Sequence, residues 1–376
     1  MNCSKNKTSI EAHFGIISDP RHHNKKHKII DIITLSICAT ICGADTYKDI
    51  EAFGKAKFRW LNRFLELPYG IPSHDTLGRV FAVIDPKEFH DSFINWTQAV
   101  QDIMKGQVIA VDGKTLRRSF DTASDMQAIH MVSAWASSNR VVLGQIKTID
   151  KSNEITAIPL LLKMLDISGC IVTIDAMGCQ KKIAETILKE GGDYLFSLKG
   201  NQSNLHNDIK LFFDGCIENN FEGIPHDFHE TIDTGHGRIE TRKVWTTSDI
   251  KWLDDFEKWK GFKTIGMVES ERLVGEKSSK ERRFFISSSA CGAKEFGAAV
   301  RAHWGIENSV HWTLDIAFRE DESRVRKNHA PENLATLRHI ALNLLRNEKS
   351  MKGSIKTKRL RAGWDTDYLK KVVTSA

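Results

Sequence analysis

Three acids stand where chemistry could be built. Asp112 closes the apolar run of QVIAVDGK (residues 107–114), and Asp175 closes that of CIVTIDAMG (170–178). Two carboxylates delivered to the ends of neighbouring strands repel unless something positive sits between them, and hard divalent ions such as magnesium or manganese take carboxylate oxygens. Each acid taken alone is also an ordinary turn residue, so the pair is the signal. The third, Glu307, lies in WGIENSVHWTLD (304–315). At about 100° per helical residue, Val300, Trp304, Glu307, His311 and Leu314 share one stripe, which sets a carboxylate among large apolar side chains. Ionisation there costs several kcal/mol without a cation or strong donors. An i,i+4 contact between Glu307 and His311 on a half-exposed helix accounts for the same spacing.

The elements that must position these acids can be read from periodicity. Residues 29–100 read as short helices: IIDIITLSICATICGA is apolar throughout, KDIEAFGKAKFRWLNRFL is amphipathic, and SHDTLGRVFAVI starts at Pro72–Ser73. The pattern then turns strand-like, with a hairpin expected at Ser138–Asn139. Strands without polar alternation are buried on both faces, which implies a central sheet covered by helices and an α/β core. Between Asp175 and Glu307, HETIDTGHGRIETRKVWTTSD, FKTIGMVESERL and KERRFFISSSA alternate apolar and polar residues, as antiparallel strands do. The expected organisation is an N-terminal helical region (1–100), which could grip DNA through Lys55, Lys57, Arg59 and Arg63 or equally be a bundle that packs on its neighbour, a core in two parts (101–203 and 290–348) around a β-rich insertion (204–289), and a basic C-terminal tail (349–376).

Composition excludes several classes. At 376 residues with 41% hydrophobic content the chain can bury a sizeable core. It has no apolar run near the roughly 18 residues of a membrane span and a polar start without a signal-peptide pattern, so a soluble intracellular protein is expected. The 7 cysteines form no CxxC pair, which argues against a disulfide framework or a zinc ribbon. Net charge is +6, concentrated at the ends: Lys5, Lys7, Arg21, Lys25, Lys26 and Lys28 near the start, and KSMKGSIKTKRLR (349–361) near the finish. Such clusters suit a polyanion, but a solvated, partly disordered tail explains either one alone more readily. Lys199 and Asn201 in LKGN and His236 and Arg238 in GHGR are candidate phosphate contacts, because Gly-flanked backbone approaches a phosphate closely. Lys114, Arg117 and Arg118 follow Asp112 and would flank a metal site.

The blocks VIAVDGKTLRRS, TIDAMGCQ, YLFSLKGNQ, GHGRIETR and RAHWGIENSVHWTLDIAFRED together resemble those of the DDE transposases of bacterial insertion sequences. Within them the chain is most similar to the ISAs group, which includes the H-repeat-associated proteins, over about His13 to Lys371. The resemblance implies a ribonuclease-H-like fold in which Asp112, Asp175 and Glu307 hold two Mg2+ or Mn2+ ions for DNA cleavage and strand transfer. It further implies double-stranded DNA partners (terminal inverted repeats and target), a dimer on DNA, and a cytoplasmic, nucleoid-associated location. Broader relatives space a Tyr, an Arg and a Lys around the Glu; here Val300, His303 and Leu314 fill those slots. Arg301, Asn308 and His311 are then candidate DNA contacts, while Asp315, Trp312, Glu320 and Asp321 compete for a place near the centre. The alternative function is a catalytically inactive DNA-binding remnant; a zinc hydrolase is a distant third, since no HExxH-type spacing occurs.

Overall fold

The computed structural model describes residues 8–21, 25–100, 105–120, 127–148, 153–235 and 237–375. Lys5, Lys7, His22, His23 and the candidate phosphate contact His236 lie outside the described residues. The strands are β1 (Val108–Thr115), β2 (His130–Ala136), β3 (Val141–Thr148), β4 (Ile171–Ile174), β5 (Asp193–Leu198), β6 (Asp227–Gly235), β7 (Arg238–Thr247), β8 (Thr264–Val274) and β9 (Lys277–Ser287). They form one 9-stranded sheet in the order β3-β2-β1-β4-β5-β9-β8-β7-β6. β1, β4 and β5 are parallel, whereas β2, β3 and the later strands pair antiparallel. The fold is α/β with a ribonuclease-H-like core, and the hairpin between β2 and β3 turns where the sequence places it.

Helices α1 (Ile10–Phe14), α2 (Ile29–Ile41), α3 (Tyr47–Ala56), α4 (Phe58–Leu61), α5 (His74–Val83) and α6 (Pro86–Val100) precede the sheet. Local chemistry sets their ends: Thr46 and Asp49 form a capping box on α3, and the Ser73 side chain caps α5. Helices α7 (Glu154–Lys163), α8 (Lys181–Lys189) and α9 (Ser203–Glu218) are interleaved with the strands. They are followed by α10 (Ala293–Gly305), α11 (Trp312–Phe318), α12 (Ala330–Asn347), α13 (Ile355–Trp364) and α14 (Thr366–Val373). No helix among the described residues is long and apolar enough to cross a membrane.

Two segments pack differently from what their sequence pattern suggests. Strands β6–β9 form an antiparallel meander that is not a separate sheet: β9 pairs with β5, Phe196 opposite Ile286, so the insertion widens the central sheet. The segment 349–376 is not a solvated tail, because α13 and α14 pack into the same core as α2 and α12. Arg359 is buried there, donating to the Thr40 carbonyl and to Asp45 and stacking on Phe318. Lys358 is buried as well, against the Leu345 carbonyl. Two of the six basic residues of that run are thereby spent on internal partners.

Edge strand β3 shows how the helices support the sheet. An edge exposes backbone donors and acceptors that must find partners when covered. The amide of the fully buried Asn343 supplies both, accepting from Val142 N at 3.0 Å and donating to Val142 O at 2.8 Å. His90 on α6 accepts from Gln145 N at 2.9 Å. Replacing Asn343 by Leu strands two buried backbone groups, so we expect a loss of about 2–4 kcal/mol in urea unfolding; a change within about 0.5 kcal/mol would show that the edge needs no such partner. Burial pushes His90 down to about 4 from 6.5, so the unfolded chain binds a proton there that the folded chain does not. Stability is therefore expected to fall by roughly 3 kcal/mol as pH drops from 6.5 to 4, and His90→Gln should flatten that slope in unfolding titrations.

Candidate active site

Adjacent parallel strands bring the first two acids together. Val111 on β1 pairs with Ile174 on β4, so the next residue on each chain, Asp112 and Asp175, are neighbours at about the 4.8 Å strand spacing. The residue after Asp112 has to be glycine for more than turn geometry: a Cβ on Gly113 would lie 2.3 Å from both Glu154 Oε1 and His130 Nε2. Those two buried side chains are hydrogen-bonded to each other, and His130 Nδ1 also meets Thr115 Oγ1 at 2.9 Å. Asp112 Oδ1 accepts from Gly113 N at 2.9 Å, and Asp175 Oδ1 accepts from Met177 N and Gly178 N at 3.0 and 3.2 Å. The loop after Asp175 is tied to the end of β5, where Asn201 Nδ2 donates to Ala176 O at 2.5 Å and Gln202 Nε2 to Cys179 O at 3.0 Å.

The third acid arrives on an irregular helix. α10 crosses the sheet so closely at Gly305 that a Cβ there would sit 2.4 Å from the Trp135 ring. The six residues Ile306–His311 then form a π-helical turn before α11, a form found mostly as single turns at functional sites. The wider turn changes the phase of the stripe. Val300, Ile306, Val310, His311 and Leu314 are buried, whereas Trp304 is 43% exposed and Glu307 is exposed. Glu307 is thus not enclosed by apolar side chains as the 3.6-residue period predicts. It lines the mouth of a cleft of about 230 Å³ together with Asp112, Asp175, Ser197, Lys199 and Arg283.

The electrostatics of the cleft are those of crowded acids. Burial pushes Asp112 up to about 7, and the charges of Asp175, Glu154 and Glu307 add to it. His311 Nδ1 stands 3.5 Å from Asp112 Oδ2, but burial pushes that imidazole down to about 4, so it supplies no cation at neutral pH. Among the described residues no three His, Cys, Asp or Glu side chains are gathered closely enough to hold a metal ion by themselves. The donor set fits a hard divalent ion in kind: it is all-oxygen and anionic, drawn from the sheet and from the helical turn across it, and among the described residues no Lys or Arg forms an ion pair with any of the three.

Other sequence candidates fall elsewhere. Lys114 does not flank a metal site: it is half-buried and paired with Asp315, and with Glu320 at 2.8 Å. Arg338 adds a second cation 3.6 Å from Glu320. Burial pushes Glu320 up, and the Lys114 and Arg338 charges outweigh it and hold the carboxyl at about 2. Asp315 and Glu320 are thereby removed from competition with Glu307. Asp321 is paired with Arg117 at 3.2 Å, and Trp312 points outward at 62% exposure. His311 is buried, not presented to a ligand. Arg117 and Arg118 are exposed beyond β1, Lys199 lies in the cleft, and Asn201 serves the Asp175 loop. Arg238, Arg301 and Asn308 line a neighbouring groove, Arg301 paired with Asp233 and Asn308 donating to Trp304 O at 3.1 Å.

Sequence reading missed Arg283, which reaches the cleft from β9 and stacks on Trp304 with 4.6 Å to the ring centroid. Its signal, KERRFF, gives the strand but not which Arg faces the acids. For Lys114→Met we expect a loss of about 3–5 kcal/mol in chemical denaturation, because Asp315 and Glu320 are left without their shared cation. Near-wild-type stability of that variant would return Lys114 to the list of ligand contacts.

Comparison with known proteins finds sequence relatives over nearly the whole chain. A family profile for the transposase DDE domain matches residues 103–344, and a DDE_Tnp_1-associated profile matches residues 11–97. The chain is 44% identical to "Putative transposase YncI" of Escherichia coli O157:H7, covering 98% of this chain and 95% of that one. It is 43% identical to "H repeat-associated putative transposase YhhI" of Escherichia coli (strain K12), covering 98% of each. A cryo-EM structure of the piggyBac transposase synaptic complex with hairpin DNA aligns at TM-score 0.43 and 12% identity, over 97% of this chain and 77% of that one.

Proposed function

The chain belongs to the DDE transposase family, and from that premise we propose that it cuts DNA at the ends of an insertion sequence and joins the freed 3′-hydroxyl to target DNA in a cut-and-paste cycle, with Asp112, Asp175 and Glu307 as the metal-binding acids. The observation that supports this most is the in-register placement of Asp112 and Asp175 on adjacent parallel strands, opening into a cleft that Glu307 also lines. Members of this family generally use divalent metal ions; in this chain the three carboxylates would hold Mg2+ or Mn2+, two ions by analogy.

Bound there, such ions supply Lewis-acid stabilisation of the leaving oxygen and an activated hydroxyl nucleophile. The remaining work falls to the chain itself. Asn201 and Gln202 fix the loop that aims Asp175. The backbone at Gly113, wedged against His130 and Glu154, fixes Asp112. Lys199 and Arg283 line the same cleft from the strands beyond Asp175, β5 and β9, where a phosphate oxygen would meet positive charge. The duplex partners would be the terminal inverted repeats and the target, brought together by a dimer.

The test is a nicking and strand-transfer assay on labelled duplexes carrying the element's ends, in magnesium and in manganese. Asp112→Ala, Asp175→Ala and Glu307→Ala should each lower the rate by at least about 100-fold while the duplex stays bound. Activity surviving one substitution in manganese removes that residue from the trio. Binding that persists in chelator, with no cleavage by wild-type protein in either metal, points instead to an inactive DNA-binding remnant.

A further inference from the structure

The sheet face that floors the cleft continues past it. Residues alternate between faces along a strand. The register sets Ser197 beside Phe285 in the cleft, then Arg283 beside Val268, Ser270 beside Arg242, and Arg272 beside Glu240. These side chains share one face, running from β5 out across β9, β8 and β7. α10 forms the opposing wall with Lys294 and Arg301, enclosing a groove of about 950 Å³. Arg283, Val300 and Trp304 border both the groove and the cleft, so the two cavities meet at that corner.

The outer part of the β8–β9 hairpin is exposed, and its residues Ser270, Arg272 and Ser279 line the groove. Seven Lys and Arg side chains line the groove against two carboxylates. Some of this charge is neutralised internally: Arg242 and Arg301 share Asp233, and Arg283 holds Glu281. Among the described residues Arg272 and Lys294 have no ion pair, and they stand on opposite walls.

We infer that this groove is a track for double-stranded DNA, which it grips through phosphates and leads to the acidic cleft. The inference rests on the DNA-cleaving reading for what happens at the end of the track, not for the binding itself. Cations on two walls interspersed with the hydroxyls of Thr231, Ser270 and Ser279 are the donors that phosphates and sugars take, without reading sequence. The one large aromatic in the lining, Trp304, already has Arg283 stacked on it. Successive unpaired bases would find no stacking platform, and this selects a duplex over a single strand.

The test uses the full chain and a fluorescein-labelled duplex of arbitrary sequence, followed by anisotropy in chelator over a series of salt concentrations. For the doubly charge-reversed Arg272→Glu, Lys294→Glu protein, affinity should fall at least about tenfold, and the slope of log affinity against log salt should shrink by about 2. Arg272→Lys with Lys294→Arg should bind as wild type. Wild-type affinity and slope in the charge-reversed protein, with its circular dichroism unchanged, would overturn the track, as would a wild-type protein that does not bind the duplex. If the charge reversal abolishes binding while no form of the protein nicks DNA, the track stands and the cleavage reading falls.

Discussion

Mutual repulsion between Asp112 and Asp175 is the constraint around which the site is arranged. Strands β1 and β4 are buried on both faces, so they pair in register deep in the sheet, and that register leaves no choice about where their terminal acids go. Two carboxylates so close, with burial raising Asp112 and no Lys or Arg paired with either, describe a site suited to a cation from outside the chain. The surroundings hold this arrangement in place. Asn201 and Gln202 anchor one acid's loop, and the His130–Glu154 pair wedges against the backbone beside the other.

Cations near the cleft are distributed with equal specificity. Lys114 stands two residues from Asp112 on the same face of β1, and would neutralise the acids if it turned toward them. It is instead held by Asp315 and Glu320, which lie beyond the π-helical turn and are backed by Arg338. One buried network thus absorbs one lysine and two competing acids, and leaves Asp112, Asp175 and Glu307 lining the cleft. Arg283 and Lys199 reach the cleft from the neighbouring strands of the same sheet, close enough to line it and without an ion pair to any of the three.

What could be read from sequence follows from the range of the forces involved. Asp112 and Asp175 were legible because an unbroken apolar run ending in an acid is a local pattern, and parallel strands follow from burial of both faces. Glu307 was legible as a residue but not in its setting: the 3.6-residue period fails at a π-helical turn, which forms where Gly305 lets α10 close on Trp135. Lys114 was misplaced because its partners lie about two hundred residues along the chain, separated by 201 and 206 positions. Likewise, strand alternation revealed β6–β9 but not that β9 would join β5, since edge pairing leaves no trace in periodicity. The C-terminal basic run was read as solvated because charge alone does not show that Lys358 and Arg359 serve internal carbonyls.

The widened sheet links this chemistry to a substrate much larger than the cleft, since one face passes from the acids to a cationic surface without a break. The account stands or falls on whether the three acids share an ion. A crystal soaked in manganese and measured at the metal's absorption edge tests this directly. Anomalous density coordinated at about 2.1 Å by oxygens of Asp112, Asp175 and Glu307 is the predicted result. Manganese bound elsewhere at saturating concentration, with the cleft intact and Glu307 turned away from both aspartates, would contradict it.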